Sequence, residues 1–328
     1  MSGAAGPLVC FSDIDGTLVH YPETEEIIEL QRAGGIILLP PSTTGRVGII
    51  SEETLRLAAR LRGAGARLAI VSGARTPTVL QRLPFLPAAD AIVSENGGRI
   101  FYPDPDGLAA APLKEDLEWR AALAPAAGPP GEEALPPERR SGAVWGYYRQ
   151  LAEAGWKLDA LGYATAFRLT QTPGKSAADL EAAIAARPPA LKCSFNLGVA
   201  DFYPAASGKE GAAARLLARW GGAARAAVHL GDDDNDLPLA RLVGRAFLPS
   251  ISEESVAAAV AAEPGRFVVA DQKWTAGTEQ MLRAVARHFA AARGAALPGA
   301  ARAGSAEREG LVERGQTCGT GEPALALV

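Results

Sequence analysis

Short apolar runs recur along the chain, and segments with helical periodicity fill several of the gaps between them. The first run, PLVCFSD at 7–13, is typical of a strand buried in a parallel sheet. Similar runs occur at 66–73, 90–96, 226–232, 246–250 and 267–270. Residues 51–65 carry a Ser cap and an apolar helical face, and residues 209–222 end in Gly as helices often do. This alternation predicts an α/β fold with a doubly wound parallel, Rossmann-like sheet.

Two stretches interrupt the alternation. In residues 31–50, two apolar runs flank a Pro-Ser-Thr-Gly turn, which predicts a β-hairpin. Residues 103–204 combine an aromatic patch (WGYYRQ), a helical segment and the hairpin-like LKCSFNLGVADFYP, which predicts a small α+β domain inserted into the first.

The predicted insert divides the remaining chain into two parts of one core domain, 1–102 and 205–295. Residues 296–328 have little periodic hydrophobicity and many small side chains, so we predict a disordered tail there. The length of 328 residues is enough for two domains with cores of their own.

Composition and charge narrow the class of protein. Hydrophobic residues make up 48% and charged residues 21%, an ordinary balance for a globular protein. The net charge is −4 without a strongly basic block, so nucleic acid is not an expected partner. No apolar run reaches the length of about 18 residues that a membrane span requires. Three scattered cysteines and a start that runs directly into a core strand predict a cytoplasmic protein without a signal peptide.

Two aspartates, Asp13 and Asp15, follow directly on the first predicted strand in the sequence DIDGT. Residues two apart in extended backbone face the same way, so both carboxylates can project from the strand end where open α/β sheets bind ligands. Gly16 permits a tight turn, and Thr17 offers a hydroxyl and an amide to an anion. Taken alone, these residues also fit a turn with solvated aspartates and a helix cap, because Asp-Gly turns are common.

Two further segments offer contacts for a phosphate group. Ser72 and Gly73 follow another predicted strand and supply a hydroxyl and free amides. Lys209 stands at the start of a predicted helix, after Ser207 and Gly208. Taken singly, the first segment fits a helix N-cap equally well, and Lys209 fits a solvated surface lysine better.

An acidic loop, GDDDND at 231–236, follows the apolar run AAVHL. Its neighbouring carboxylates repel one another strongly unless a cation joins them. Hard oxygen ligands of this kind suit Mg²⁺. A solvated acidic loop is the alternative, which the apolar strand leading into the loop disfavours.

The four segments, in this order and each at a predicted strand end or helix start, resemble the motifs of the haloacid dehalogenase (HAD) superfamily of phosphotransferases. Those motifs are DxDGT, Ser-Gly, Lys and GDxxND, and the resemblance covers about 1–102 and 205–295. The insert resembles the larger α+β cap of the Cof-type and sucrose-phosphate-phosphatase-like branches. SENGG at 94–98 and WTAGT at 274–278 resemble further segments of that branch.

The resemblance implies a Mg²⁺-dependent phosphomonoester hydrolase. It implies that Asp13 attacks phosphorus and forms an aspartyl-phosphate, and that Asp15 acts as general acid and then general base. The implied phosphate contacts are Thr17, Ser72, Gly73 and Lys209. The implied metal site consists of Asp13, the backbone carbonyl of Asp15, and Asp232, with Asn235 and Asp236 close by and Asp236 also orienting Lys209.

Weaker candidates surround these motifs. Arg75, next to Ser72, and Asn96, in a predicted turn, are possible substrate contacts. His229 is expected to pack inside its strand, and His20 is also favoured as non-catalytic. The aromatic patch at 145–148 is expected to be core of the insert.

PGKS at 173–176 looks like the end of a P-loop, but the position that requires the first glycine holds Leu169. We therefore expect no nucleotide site there. The hairpin at 31–50, called the flap in this superfamily, is longer than expected for members with a large cap. We hypothesise that it narrows the entrance and helps to select the substrate.

Several functions remain open at this point. The expected substrate is a small phosphomonoester, and the branch that the chain resembles indicates a sugar or polyol phosphate. A phosphohexomutase shares the DxDGT start, but the GDDDND loop favours hydrolysis. A non-catalytic regulatory protein of the same fold is disfavoured because neither the nucleophile nor the metal acids are missing. A dehalogenase is disfavoured because that chemistry needs no metal.

Overall fold

A computed structural model gives the positions of residues 6–42, 45–196 and 199–294. Within these ranges, the chain forms an 8-stranded sheet, a 4-stranded sheet and a 2-stranded sheet. The predicted tail, 296–328, lies outside the described residues.

The strands and helices of these ranges are as follows in chain order. The strands are β1 (Val9–Ser12), β2 (Ile36–Leu38), β3 (Ile49–Ser51), β4 (Arg67–Val71), β5 (Ala91–Ser94), β6 (Arg99–Pro103), β7 (Leu113–Glu115), β8 (Leu158–Asp159), β9 (Phe167–Leu169), β10 (Leu191–Asn196), β11 (Val199–Pro204), β12 (Val228–Leu230), β13 (Arg245–Leu248) and β14 (Phe267–Val269). The α-helices are α1 (Thr24–Ala33), α2 (Glu52–Gly63), α3 (Thr76–Arg82), α4 (Leu117–Ala127), α5 (Ala143–Glu153), α6 (Ala177–Ala185), α7 (Gly208–Trp220), α8 (Leu237–Leu242), α9 (Glu254–Ala262) and α10 (Trp274–Arg293). Short 3-10 helices lie at Leu83–Phe85, Glu132–Ala134, Pro137–Arg139, Ala224–Ala226 and Asp234–Asp236.

The large sheet has the strand order β14-β13-β12-β1-β4-β5-β6-β7. All six strands predicted from apolar runs lie in it and pair in parallel, whereas β6 and β7 are antiparallel additions at one edge. Helices α2 and α10 contribute to the apolar core on one face, and α7 and α8 contribute to the core on the other. The predicted doubly wound α/β fold is therefore confirmed.

Local sequence signals explain where two of the predicted helices begin and end. The Ser51 side chain caps α2 by accepting a hydrogen bond from the backbone N–H of Thr54 at 3.0 Å. Leu57 and Leu61 then lie on the buried side of that helix. Helix α7 ends before Gly221, which adopts the left-handed conformation with φ of 67° that glycine accepts without strain.

The smaller sheet is antiparallel, with the order β10-β11-β9-β8, and fits the predicted α+β cap. Helices α5 and α6 cover one of its faces. Trp145 and Tyr147 of α5 are buried there, and Tyr147 packs edge-on against Phe202 with the ring centroids 5.4 Å apart. The aromatic patch is thus core, as predicted. The boundaries of the insert remain a prediction, but β7 lies within the range 103–204 and pairs with β6 in the large sheet.

The flap contains an antiparallel pair, β2 and β3, with Leu38 opposite Ile49. The first residues of the predicted range belong instead to α1, which ends at Ala33 before two glycines with positive φ, Gly34 and Gly35. Residues 43–44, in the turn of the flap, lie outside the described residues. In the part of the chain that is described, no helix combines the length and apolarity needed to cross a bilayer.

Candidate functional site

Three parallel neighbouring strands bring the predicted motifs to one edge of the large sheet. Strand β1 lies between β12 and β4, and Ser12 is level with Leu230 on one side and Ile70 on the other. The segments that follow these strands carry Asp13, Asp232 and Ser72. Because the strands run in the same direction, their carboxyl ends meet, and residues far apart in the chain become neighbours.

A buried lysine joins two of the aspartates at this edge. The Nζ atom of Lys209 lies 3.0 Å from Oδ1 of Asp13 and 2.7 Å from Oδ1 of Asp236. All three side chains are buried, with Lys209 held in the first turn of α7. Lys209 is therefore an internal counter-charge, contrary to the solvated surface lysine that its motif alone would suggest.

Asp236 organises the acidic loop as well as the lysine. Its Oδ1 also lies 3.0 Å from Nε2 of His229. Its Oδ2 accepts the backbone N–H groups of Asp232 at 3.2 Å and Asp233 at 3.3 Å. His229 is buried in β12 as predicted, and its ring supports Asp236.

The DIDGT turn packs directly against Asp232. The Thr17 hydroxyl donates to Oδ1 of Asp232 at 3.0 Å, so it holds this aspartate, and the predicted phosphate contact of Thr17 remains a prediction. Gly16 has a φ of 77°, and a Cβ atom on it would lie 2.0 Å from Oδ2 of Asp232. Only glycine fits this approach without displacing the carboxylate.

The oxygen atoms gathered here fit a divalent cation. Among the described residues, Asp13, Asp232 and Asp236 each offer a carboxylate oxygen, and these atoms lie within 4.8 Å of one another. Oδ1 of Asn235 is buried and accepts no hydrogen bond from any described residue. A buried amide oxygen beside several carboxylates is the donor set that Mg²⁺ prefers. Asp13, Asp232 and Asn235 would hold the ion, since both oxygens of Asp236 already have partners.

The pKa values of these carboxyl groups indicate that ionising all three together is costly without further positive charge. Burial raises the pKa of Asp13 to about 7 despite the neighbouring Lys209. Burial, together with the charges of Asp13 and Asp236, also raises the pKa of Asp232. For Asp236, contacts with Lys209 and His229 outweigh burial and lower its pKa. One lysine does not neutralise three carboxylates, and a bound cation would supply the missing positive charge.

Replacing Gly16 by Ala is expected to weaken cation binding by displacing Asp232. Loss of a contact that orients a metal ligand typically costs about 10–100-fold in affinity. Calorimetric titration of the Gly16→Ala protein with Mg²⁺ measures this loss. The matched control is Gly34→Ala, because Gly34 has a φ of 86° and open space where the Cβ would be. Unchanged Mg²⁺ affinity in Gly16→Ala would contradict the assignment of Asp232 as a ligand.

Asp15 lies at the rim of the cluster in a different environment. Its side chain is 39% exposed, and Nη1 of Arg82 lies 2.5 Å from each of its carboxylate oxygens. The Tyr21 hydroxyl donates to Oδ1 of Asp15 at 2.6 Å. The sequence analysis missed both partners. Arg82 is the last residue of α3, where a basic residue ordinarily signals only a helix end.

No family model matches the chain, and no curated protein matches it. Solved structures do match. The sucrose-phosphatase of Synechocystis sp. PCC6803, in complex with sucrose and phosphate, aligns with a TM-score of 0.56 and 15% identity, covering 86% of this chain and 98% of that chain. The chain shares the fold of this phosphatase.

Two further solved structures support the same fold. BT1666 from Bacteroides thetaiotaomicron, a phosphatase of the HAD superfamily, has a TM-score of 0.55 at 14% identity, covering 88% of this chain and 97% of that chain. The HAD subclass IIB sugar phosphatase BT4131 has a TM-score of 0.52 at 14% identity, covering 86% and 98%. The resemblance drawn from the four motifs is thus confirmed at the level of the fold.

In the HAD fold of this chain, the turn after β4 is linked to the lysine helix. Oγ of Ser72 accepts the backbone N–H of Ala74 at 3.0 Å. The backbone N–H of Asn96 donates to the carbonyl of Ser72 at 3.3 Å, and the carbonyl of Asn96 accepts from Gly208 at 2.7 Å. Asn96 thereby connects the predicted phosphate cradle with the start of α7. Its predicted contact with a substrate, like the phosphate contacts of Ser72 and Gly73, remains a prediction.

Arg75 is directed toward the smaller sheet. Its guanidinium donates to Oδ2 of Asp159 at 2.6 Å and to the carbonyl of Leu161 at 2.7 Å. It also lies over the ring of Tyr163, 5.0 Å from the centroid. The arginine is long enough to reach the insert, where it contacts a carboxylate, and its predicted contact with a substrate remains a prediction.

Glu95 is a buried residue that the sequence analysis treated only as part of a turn. It has a φ of 56°, and its carboxylate accepts the Thr76 hydroxyl at 2.6 Å. It also accepts the backbone N–H groups of Ala164 at 2.9 Å and Thr165 at 2.8 Å. Thr76 begins α3 of the core, and Ala164 and Thr165 lie between β8 and β9 of the smaller sheet, so Glu95 fastens the insert to the core.

His20 lies behind the DIDGT turn. Its Nε2 atom lies 2.7 Å from Oγ1 of Thr278, and that hydroxyl donates to the carbonyl of Thr17. Burial lowers the pKa of His20 to about 4, so its ring is neutral at physiological pH. The ring therefore joins the turn to α10 and takes no part in the carboxylate cluster, in agreement with the favoured non-catalytic interpretation.

Proposed function

We propose that the chain is a Mg²⁺-dependent phosphatase that hydrolyses a small phosphomonoester through an aspartyl-phosphate on Asp13. The observation that carries this proposal is the convergence of Asp13, Asp232 and Lys209 at the carboxyl edge of a HAD-fold sheet, with Lys209 3.0 Å from Asp13. A nucleophilic carboxylate needs a nearby positive charge to approach a phosphate group, since both reactants are anions.

The proposed reaction begins with attack of an Asp13 carboxylate oxygen on phosphorus. Lys209 neutralises the transferring phosphoryl group, and Ser72 and Gly73 donate hydrogen bonds to its oxygens. Asp15 donates a proton to the departing alkoxide and then removes one from the water that hydrolyses the aspartyl-phosphate. Asp236 keeps Lys209 in place. Asp13, Asp232 and Asn235 would hold Mg²⁺, which would supply positive charge to screen the nucleophile from the phosphate.

A small substrate is supported by the position of the smaller sheet. Strand β10 lies against the Asp234–Asp236 turn of the acidic loop, so the predicted cap, 103–204, reaches the edge where the motifs meet. A covered site excludes macromolecules and excess water. Two of the solved structures with this fold are a sucrose-phosphatase and a sugar phosphatase. We therefore propose a sugar phosphate as the substrate, without a preference for sucrose phosphate.

A phosphate-release screen tests this function. The panel contains phosphorylated sugars, polyols, nucleotides and cofactors, each assayed with Mg²⁺ and with a chelator. We expect release from at least one sugar or polyol phosphate, with a loss of activity in chelator that added Mg²⁺ restores, because the cluster lacks positive charge without the ion.

Three outcomes of the screen would count against the proposal in different ways. Phosphate release at the same rate with and without chelator would contradict the proposed role of Mg²⁺. Isomerised sugar phosphate without free phosphate, detected in a coupled assay, would indicate the phosphohexomutase alternative. Binding of phosphorylated ligands without turnover would indicate a non-catalytic regulatory protein.

A further inference from the structure

The side chains of Asp15, Arg82 and Tyr21 form a closed ring of polar contacts. Nη1 of Arg82 contacts both carboxylate oxygens at 2.5 Å. The Tyr21 hydroxyl donates to Oδ1 of Asp15 at 2.6 Å and accepts a hydrogen bond from Nη2 of Arg82 at 2.7 Å. Each member of this ring contacts the other two, so moving any one side chain disturbs the two contacts that it makes.

The two partners of Asp15 are themselves fixed, and by different parts of the molecule. Arg82 ends α3, the helix that follows the Ser72 turn, and its side chain is only 14% exposed. Tyr21 is held by the flap. Arg46 donates to the Tyr21 carbonyl at 2.6 Å and stacks over its ring, and a Cβ on Gly48 would lie 3.2 Å from that ring.

The ring matters because a general acid must stay within hydrogen-bond reach of the oxygen that it protonates. An aspartate as exposed as Asp15 would otherwise sample several staggered rotamers, and misplacement by about 1 Å can cost up to about 100-fold in rate. Arg82 and Tyr21 limit it to one orientation.

We propose that Arg82 and Tyr21 are positioning residues, which hold the carboxyl group of Asp15 in the orientation needed for proton transfer to the leaving group. The flap takes part through Tyr21, so it acts on the acid–base residue in addition to any effect on the entrance. This inference rests on the proposed phosphatase function and adds to it the two residues that make Asp15 effective.

The test compares two substrates that differ in their need for a proton donor. One is the best sugar or polyol phosphate from the screen, whose alkoxide leaves poorly without protonation. The other is p-nitrophenyl phosphate, whose phenolate leaves readily without it. For Tyr21→Phe and Arg82→Gln, we expect kcat on the sugar phosphate to fall about 10-fold, a part of the full effect of general acid–base catalysis. The loss on p-nitrophenyl phosphate should be several-fold smaller, and KM should change little for either substrate.

Two further variants separate positioning from a structural role. Arg82→Lys should be intermediate, because an ammonium can replace the Nη1 contact with Asp15 but not the Nη2 contact with Tyr21. In an Asp15→Asn background, Arg82→Gln and Tyr21→Phe should cause no further loss on the sugar phosphate, because the group that they position is absent.

Matched controls come from elsewhere in the chain. Tyr102→Phe removes a tyrosine hydroxyl that donates to Asp116 at 3.0 Å, and Arg56→Gln removes an arginine from an exposed pair with Glu52 on α2. Both controls should leave the ratio of the two activities at the wild-type value. Thermal unfolding of every variant checks that the fold is retained.

The outcomes distinguish this inference from the function on which it rests. Equal losses on the two substrates, a change confined to KM, or additive losses in the Asp15→Asn background would overturn the positioning role and leave the phosphatase intact. Absence of Asp13-dependent turnover in the wild-type protein would overturn both proposals.

Discussion

Replacing Asp13 by Asn is expected to abolish phosphate release while the protein remains folded. The amide has nearly the shape of the carboxylate, but it is a far weaker nucleophile and cannot form the proposed aspartyl-phosphate. Removal of a nucleophile from a catalytic unit costs several orders of magnitude, so kcat on the best panel substrate should fall at least about 10³-fold. Phosphate release with saturating Mg²⁺ measures the loss.

The same substitution is also expected to affect the stability of the protein. Burial raises the pKa of Asp13 to about 7, so its ionised form is disfavoured in the folded protein. Removal of that carboxylate also relieves its repulsion with Asp232 and Asp236, at the cost of one contact with Lys209. In chelator, the melting temperature of Asp13→Asn should therefore be no lower than that of the wild type. Asp106→Asn, at an exposed loop position, is the control. Turnover by Asp13→Asn near the wild-type rate would exclude the covalent mechanism.

The parallel sheet was predictable because its strands are buried on both faces. Val9, Cys10 and Phe11 of β1 are almost completely buried, so the strand reads as an uninterrupted apolar run. The antiparallel strands β6 and β7 at one edge of the sheet contain no such apolar run. Strand β6 mixes Arg99 with Phe101, and β7 has only three residues, so neither carries a period long enough to be recognised.

The convergence of the motifs was also predictable, because parallel strands run in one direction and their carboxyl ends meet at the same edge of the sheet. Asp13, Lys209 and Asp236 come together as the resemblance implied. The individual partners of each side chain were less predictable. The Thr17 hydroxyl contacts Asp232, and Arg75 contacts Asp159, and no local pattern in the sequence pairs residues so far apart in the chain.

Arg82 and Glu95 show why the contacts of supporting residues could not be predicted from the sequence. Each has a local explanation that is sufficient by itself: Arg82 ends a helix, and Glu95 stands before the Asn-Gly turn. Their partners lie 67 and 70 residues away in the chain, at Asp15 and Thr165. Only packing of the flap, the core and the insert brings these groups together, and one sequence contains no local signal of that packing.

Replacing Lys209 by Met is expected to lower both activity and stability. The variant keeps the buried apolar stem but leaves three carboxylates within 4.8 Å of one another without the only lysine that contacts them among the described residues. Breaking a buried ion pair by removing one partner typically costs about 3–5 kcal/mol of unfolding free energy. Chemical denaturation in the presence of chelator measures this loss. Phosphate release with Mg²⁺ should become undetectable, because no other lysine among the described residues contacts the cluster to neutralise the transferring group.

Magnesium and a second substitution show whether charge is the cause. Added Mg²⁺ should raise the melting temperature of Lys209→Met by more than it raises that of the wild type, because the ion then replaces the positive charge lost with Lys209. Adding Asp236→Asn to Lys209→Met should restore part of the lost stability by removing one of the repelling carboxylates. Lys192→Met is the matched control, since the side chains of the Lys192–Glu210 pair are 42% and 21% exposed and solvent-accessible pairs typically contribute at most about 1 kcal/mol. The contrary result would be equal destabilisation by Lys209→Met and Lys192→Met, with Mg²⁺ raising the melting temperature of Lys209→Met no more than that of the wild type. Lys209 would then not balance the charge of the proposed metal site. The proposal of a nucleophilic Asp13 would lose its electrostatic basis.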